Sequence, residues 1–388
     1  MLRRWFSIAG QATVKGTEFF KSRNPNVAKS HWRKTSTGLT ISSLGIGTYM
    51  GAPDNETDAL VKNAIVKSVS SGMFNIIDTA INYRYQKAER SVGSALKQLI
   101  KEVGFKREEL FISSKIGYVP EDADKKIPGK TIISDLIKKK LIQDTDVPGG
   151  IHCMHPAFLK DQLDKSLNNL GLQTIDLLYL HNTAESQMPQ IHEPIYWERL
   201  KNAIEFCENA IKVKKIVNYG LATWMCFRSP ISDHDMHLSL ERVVRLAESI
   251  AGPDHGMKYI QVPINLMMPE AFIQKWQEFR GTEEILLNVA KELGVNVIAS
   301  SPLLQGKLLD IKLLKTMAGI DSHVCKQLQL LRSIPSGSLK SVLVGMKNPK
   351  NIMKNLQIPF AETLAPEEFW AVLKPEVRDN APLAIDLW

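Results

Sequence analysis

The sequence predicts an α/β fold of the (β/α)8 TIM-barrel type, and three observations predict it. Short apolar runs alternate with longer amphipathic stretches along the chain. Apolar strands alternating with helices mean a parallel sheet covered by helices on the outside. Eight such units follow one another, the number that closes a barrel.

The strand candidates, in order, are "SLGIGT" (43–48), "FNIID" (74–78), "LFISSK" (110–115) and "IDLLYL" (175–180), then "KIVNYGLA" (215–222), "KYIQVP" (258–263), "VNVIAS" (295–300) and "SVLVG" (341–345). Between them lie "ETDALVKNAIVKSVSS", "AFLKDQLDKSLNNL", "SLERVVRLAESI" and "TEEILLNVAKEL", where apolar residues recur at three- and four-residue spacing. In the second of these Phe158, Leu159, Leu163, Leu167 and Leu170 form one stripe. The rival is an open, doubly wound sheet. "GIGTYMG" (45–51) reads G-x-G-x-x-x-G, so it misplaces the third glycine of a dinucleotide fingerprint.

One segment breaks the rhythm. Residues 116–155 separate the third strand from its helix, far more than a usual strand-to-helix loop. Such loops rim the active-site face of a barrel, so this long β3–α3 insertion is expected to be a lid or substrate wall, with its own helix at 131–141. The expected organisation is a basic leader (1–31), a barrel (32–360) and a tail (361–388) that carries Trp370 and Trp388 and covers the site mouth or an interface.

Charge argues against a nucleic-acid partner. The chain carries a net +8, but Arg3, Arg4, Lys15, Lys21, Arg23, Lys29, Arg33 and Lys34 face only Glu18 within the first 34 residues. The body is therefore nearly neutral and offers no bulk field for a phosphate backbone. The leader mixes these cations with Leu2, Trp5, Phe6, Ile8, Val14, Phe19 and Phe20, and it resembles a mitochondrial transit peptide or a retained docking arm. A matrix location follows as an expectation. No window offers the ~20 apolar residues of a membrane span. Cys153, Cys207, Cys226 and Cys325 form no metal-binding spacing and are expected as buried thiols. "HCMH" (152–155) lacks further ligands nearby, so no metal is assigned to His152, Cys153 and His155.

Polar groups stand where an interior would not tolerate them alone. Asp78 ends the second strand with Tyr83 just beyond, Lys115 ends the third, and His181 follows the fourth. All lie at the carboxyl ends of parallel strands and converge on one mouth. An ammonium beside a phenol favours the phenolate, and a carboxylate holds the ammonium charged. The tyrosine can then give a proton to a carbonyl oxygen as that oxygen gains charge, while the histidine orients it.

From about Arg33 to Asn355 the chain resembles the aldo-keto reductase superfamily, in a poorly characterised bacterial-type branch. "RKTSTGLTISSLGIGTY" is similar to its opening hairpin and first strand, and "NIIDTAINYRYQKAERSVGSAL" to its Asp-and-Tyr motif with Glu89 and Gly93 on the helix. "FISSK", "IDLLYLHN", "SSPLLQGKL" and "VLVGMKNPKNIMKNL" resemble its lysine, histidine and two cofactor strands. The resemblance implies NADPH-dependent reduction of an aldehyde or ketone, with Asp78, Tyr83, Lys115 and His181 as the catalytic tetrad and Tyr83 as the acid. It further implies that Thr48 and Asp78 line the nicotinamide side and that Thr223 and Gln261 meet the carboxamide. It puts Ser301, Leu303, Gly306 and Lys307 at the pyrophosphate, Lys347 at the 2′-phosphate, and Asn351 and Asn355 near the adenosine. The chain departs from the family at Ala222-Thr223, where Ser-Asn is frequent, and at Ser300, where an aromatic ring is frequent, with Trp224 nearby to compensate. A second reading is an accessory subunit of a larger mitochondrial assembly that retains the barrel.

Overall fold

The computed structural model describes residues 7–309 and 322–373. Eight parallel strands close the barrel: β1 (Leu44–Gly47), β2 (Ile76–Asp78), β3 (Phe111–Ile116), β4 (Ile175–His181), β5 (Ile216–Ala222), β6 (Met257–Pro263), β7 (Asn296–Ser300) and β8 (Leu339–Gly345). Their order round the barrel is their order in the chain, with β8 pairing back to β1. Each falls on its expected apolar run. Register fixes the polar strand ends relative to one another: Asp78 pairs with Ser113, Lys115 with Tyr179, His181 with Ala222, and Ala222 with Gln261.

Two apolar bodies hold the fold. Inside the barrel, Ile76, Phe111, Leu177, Tyr179, Tyr259, Ile298 and Leu343 pack into one cluster. A larger cluster lies between the strands and the surrounding helices. Helix α1 (Val14–Ser22) precedes the barrel; α2 (Asn55–Ser70) and α3 (Lys87–Gln98) follow β1 and β2. Helix α4 (Gly129–Lys138) is the insertion's own, slightly earlier than expected, and α5 (Pro156–Leu170) follows it. Pro156 starts α5 and Gly171, at φ 65°, ends it. Its expected stripe faces inward, with Phe158, Leu159, Leu163 and Leu170 buried.

The start of the chain differs from the expected leader. Residues 8–31 do not stand apart from the barrel, so the boundary at residue 31 is not a structural one. Phe20 is fully buried in the large core, and Ala12 joins the barrel's inner cluster. The Ala12 N–H donates to Asp176 Oδ1 at 2.6 Å, and Arg23 bonds Glu109 through both Nε and Nη2. The physical reason lies in the helix: Gly16, Thr17 and Phe20 are buried, and the helix packs against residues Arg107–Glu109 and the strand Thr40–Ser42. Gly16 makes the approach close, since a Cβ there would lie 2.2 Å from Glu108 O.

In the tail, Phe369 is fully buried and meets the Phe272 ring at 6.2 Å. Trp388 lies outside the described residues. Among the described residues no helix is long and apolar enough to cross a membrane, and all four cysteines are buried and free.

Candidate active site

The carboxyl ends of the strands open into a cavity of about 750 Å³. At its base Lys115 Nζ donates to Asp78 Oδ2 at 2.5 Å and to Thr79 O at 3.0 Å. Asp78 Oδ1 accepts from Ser113 Oγ at 2.7 Å and from Gln261 Nε2 at 3.0 Å, and Thr48 Oγ1 donates to Asp78 O at 3.0 Å. A carboxylate 3% exposed is thus fully hydrogen-bonded, which is the condition for burying it as an anion. Ser113 and Lys115 reach the same carboxylate because alternate residues of a strand share a face.

The Lys115 ammonium lies 4.7 Å from the centre of the Tyr83 ring. The Tyr83 ring in turn stands 5.8 Å from the His181 ring at 75°, and 4.9 Å from Tyr49 at 65°. The four residues singled out in the sequence therefore meet at one place. Burial works against the Lys115 ammonium, but Asp78 and then Tyr83 outweigh it, and its pKa is raised. For Tyr83 the expected net lowering by Lys115 is not found. Burial pushes the phenol up by more than the ammonium pulls it down, and Asp78 adds to the rise. Tyr83 is thus protonated at neutral pH. Burial, then Lys115 and His152, holds His181 well below its ordinary range, so its imidazole is neutral. His181 Nδ1 is buried without a hydrogen-bond partner.

Helix α3 fixes this arrangement from behind. Glu89 is fully buried and accepts from Ser114 Oγ at 2.6 Å and Asn169 Nδ2 at 2.9 Å. Gly93 lets α3 and α5 approach, for a Cβ there would lie 2.4 Å from Asn169 O.

Thr48, Asp78, Tyr83, His181, Thr223, Gln261, Ser301, Leu303, Gly306, Lys347, Asn351 and Asn355 all line the cavity. Lys115 lies beneath it. Lys307 is exposed and is not among the residues that line the cavity. Just before it, Leu304 and Gln305 adopt left-handed φ of 46° and 53° and Gly306 follows at 97°. Ser300 and Trp224 both border the cavity.

Two features fit a phosphorylated nucleotide cofactor. Thr223 Oγ1 is buried without a partner, beside Gln261. Lys347 is partly buried, with its pKa lowered by burial and then by Arg84, and it makes no ion pair among the described residues. Its ammonium would lie 3.0 Å from a Cβ placed on Gly51, whose φ is 131°. A cation kept beside another cation suits an anionic group.

Sequence reasoning missed Asn82, Tyr118 and Asn182, which also line the cavity. Asn182 follows His181 directly at φ 48° and its Nδ2 donates to the Tyr118 hydroxyl at 3.2 Å. The signal for Ser113 was available in the two-residue strand period. Tyr118 had none, because its position depends on the path of the insertion.

The sequence profile of the Aldo/keto reductase family matches residues 43–334. Among curated proteins, the pyridoxal 4-dehydrogenase of Microbacterium luteolum is 23% identical over 368 residues, 88% of this chain and 95% of that protein. Aldo-keto reductase family 1 member C13 of Mus musculus is 24% identical over 56% of this chain, so the match spans about half of that protein, 54%. Among solved structures, an aldo/keto reductase from Klebsiella pneumoniae in complex with NADP and acetate superposes with a TM-score of 0.58 at 17% identity, covering 89% of this chain and 95% of that one.

Proposed function

This chain belongs to the aldo/keto reductase family, and on that premise we propose that it is an NADPH-dependent reductase that converts an aldehyde or ketone to an alcohol. The observation that carries the reading is the placement of the Lys115 ammonium, 2.5 Å from Asp78 Oδ2 and 4.7 Å from the Tyr83 ring centre, at the base of the cavity.

When bound, NADPH supplies the hydride. Lys347 would meet its 2′-phosphate, Ser301, Leu303 and Gly306 its pyrophosphate, Asn351 and Asn355 its adenosine, and Thr223 with Gln261 its carboxamide. The rest is the work of this chain's side chains. The Tyr83 hydroxyl, protonated at neutral pH, donates to the carbonyl oxygen and passes its proton there as the oxygen gains charge. The Lys115 ammonium stabilises the phenolate that remains, and Asp78 holds that ammonium charged and in place. Neutral His181 beside Tyr83 orients the carbonyl without competing as an acid. Tyr49, Tyr118 and Trp224 wall the cavity with rings and exclude water.

Replacing Tyr83→Phe tests the assignment. NADPH oxidation with a panel of aldehydes and ketones should fall by at least about 100-fold, in line with a general-acid contribution, while NADPH binding by fluorescence is retained. Undiminished oxidation would overturn the tetrad. We also place the protein in the mitochondrial matrix, on its basic N-terminal sequence; import into isolated mitochondria with protease protection tests this, and failure to import refutes it.

A further inference from the structure

The insertion was expected as a lid or substrate wall, and Tyr118 does border the cavity. Many of its polar contacts go elsewhere, to the turn after Tyr83 and to the segment around His181.

On one side is the turn after Tyr83. Arg84, Tyr85 and Gln86 all have left-handed φ, at 49°, 55° and 73°. Three consecutive non-glycine residues there are costly, so the surroundings must hold them. The insertion does so. The Ala123 N–H donates to Tyr85 O at 3.2 Å and Gln86 Nε2 to Glu121 O at 3.0 Å. Asp122 accepts two bonds from Arg90, at 2.9 and 2.8 Å, and Asp124 accepts from Lys87 at 2.8 Å. Asp122 is 4% exposed. Burial would raise its pKa, yet the Arg90 bonds and the Lys125 N–H bring it to about 2, so it is an anion at any working pH.

On the other side is the end of β4. His152 is fully buried, and its ring bonds His181 O at 2.8 Å through Nε2. Gln187 Nε2 donates to His152 Nδ1 at 3.1 Å, which leaves the proton on Nε2 to donate. Tyr118 stands edge-on to both His152 and His181, at 5.3 and 5.1 Å. Gly117 makes room, since a Cβ there would lie 2.6 Å from His152 Nε2.

We propose that the insertion is a clamp on the acid and its carbonyl-orienting partner, in which Asp122 positions Tyr83 and His152 positions His181. The proposal rests on the reading of Tyr83 as the acid. Neither residue touches substrate; each sets the height and angle of a group that does.

The test uses the full chain with Asp122→Asn, His152→Leu and His152→Gln, beside Tyr83→Phe. Asp122→Asn and His152→Leu should each slow single-turnover reduction by about 10- to 100-fold, the cost of a misplacement near 1 Å, with NADPH affinity unchanged. His152→Gln keeps a donor and should recover most of the rate. Amide hydrogen exchange, read without substrate, should quicken at residues 84–87 in the first variant and at 181–183 in the second. Folded variants with wild-type turnover and wild-type exchange overturn the clamp, as does a loss of melting temperature with the rate intact well below it. If Tyr83→Phe turns over normally, the acid assignment fails instead, and the exchange data still decide the clamp.

Discussion

Lys115 and Asp78 form an ion pair at 2.5 Å with side chains only 1% and 4% exposed. So close a buried pair is worth less to stability than to geometry. Desolvating two charges offsets most of their attraction, whereas removing one partner strands the other. Both charges sit on neighbouring strand ends whose register is fixed by the barrel, so neither can relax away.

Lys115→Met should therefore damage the protein twice. It leaves Asp78 buried without its cation, a loss on the order of 3–5 kcal/mol, and it removes the charge that stabilises the Tyr83 phenolate. Chemical denaturation and steady-state rates measured on the same preparation should show both effects. A variant with wild-type stability would contradict the burial argument.

The pH dependence of reduction follows from two directions of shift. Tyr83 must carry its proton, and its phenol is raised above the ordinary value of 10.0. His181 must be neutral, and it is held well below 6.5. Turnover at saturating substrate should be flat through neutral pH and fall only in alkali, as pH rises through the raised phenol value. A fall beginning near pH 7 would show that another group donates the proton.

Stability should respond to acid. His152 is depressed to about 4 and His31 to about 3 in the folded chain, against 6.5 for a free histidine. Both stay neutral when folded, so their stabilisation is complete above pH 6.5 and is lost as pH falls toward those values. For His152 the loss is on the order of 3 kcal/mol. His152→Gln should flatten that part of the stability profile between pH 6.5 and 4, measured by urea unfolding at each pH.

The N-terminal segment should be needed for stability. Phe20→Ala opens a cavity in the core and should cost about 3–5 kcal/mol. Deleting residues 1–31 should do worse, since it also strips Glu109 of Arg23 and Asp176 of the Ala12 N–H. Deleting residues 1–6 removes none of these contacts. Thermal unfolding of the two truncations should separate them, and equal melting temperatures would refute the packing argument.

The eight strands were legible because each is a compact apolar run with a helix behind it, and such runs carry their burial in their composition. The meeting of Asp78, Tyr83, Lys115 and His181 was legible for a related reason. Asp78, Lys115 and His181 stand at the same end of parallel strands, and parallel strands deliver their carboxyl ends to one face. Most of the residues that the resemblance assigns to the cofactor line the cavity. The place of Tyr118 beside His181 was not legible, because it depends on the path of the insertion.

The sequence by itself determined the barrel and the polar groups gathered at its mouth, through local patterns of burial and strand-end polarity. Tertiary structure alone decided that residues 8–31 belong to the body and that the insertion grips the turn after Tyr83 and the end of β4. It also decided that burial outweighs Lys115 at the Tyr83 phenol. Those outcomes depend on contacts such as Ala12 with Asp176, 164 residues apart, and on how much water each group loses. No local pattern records either quantity.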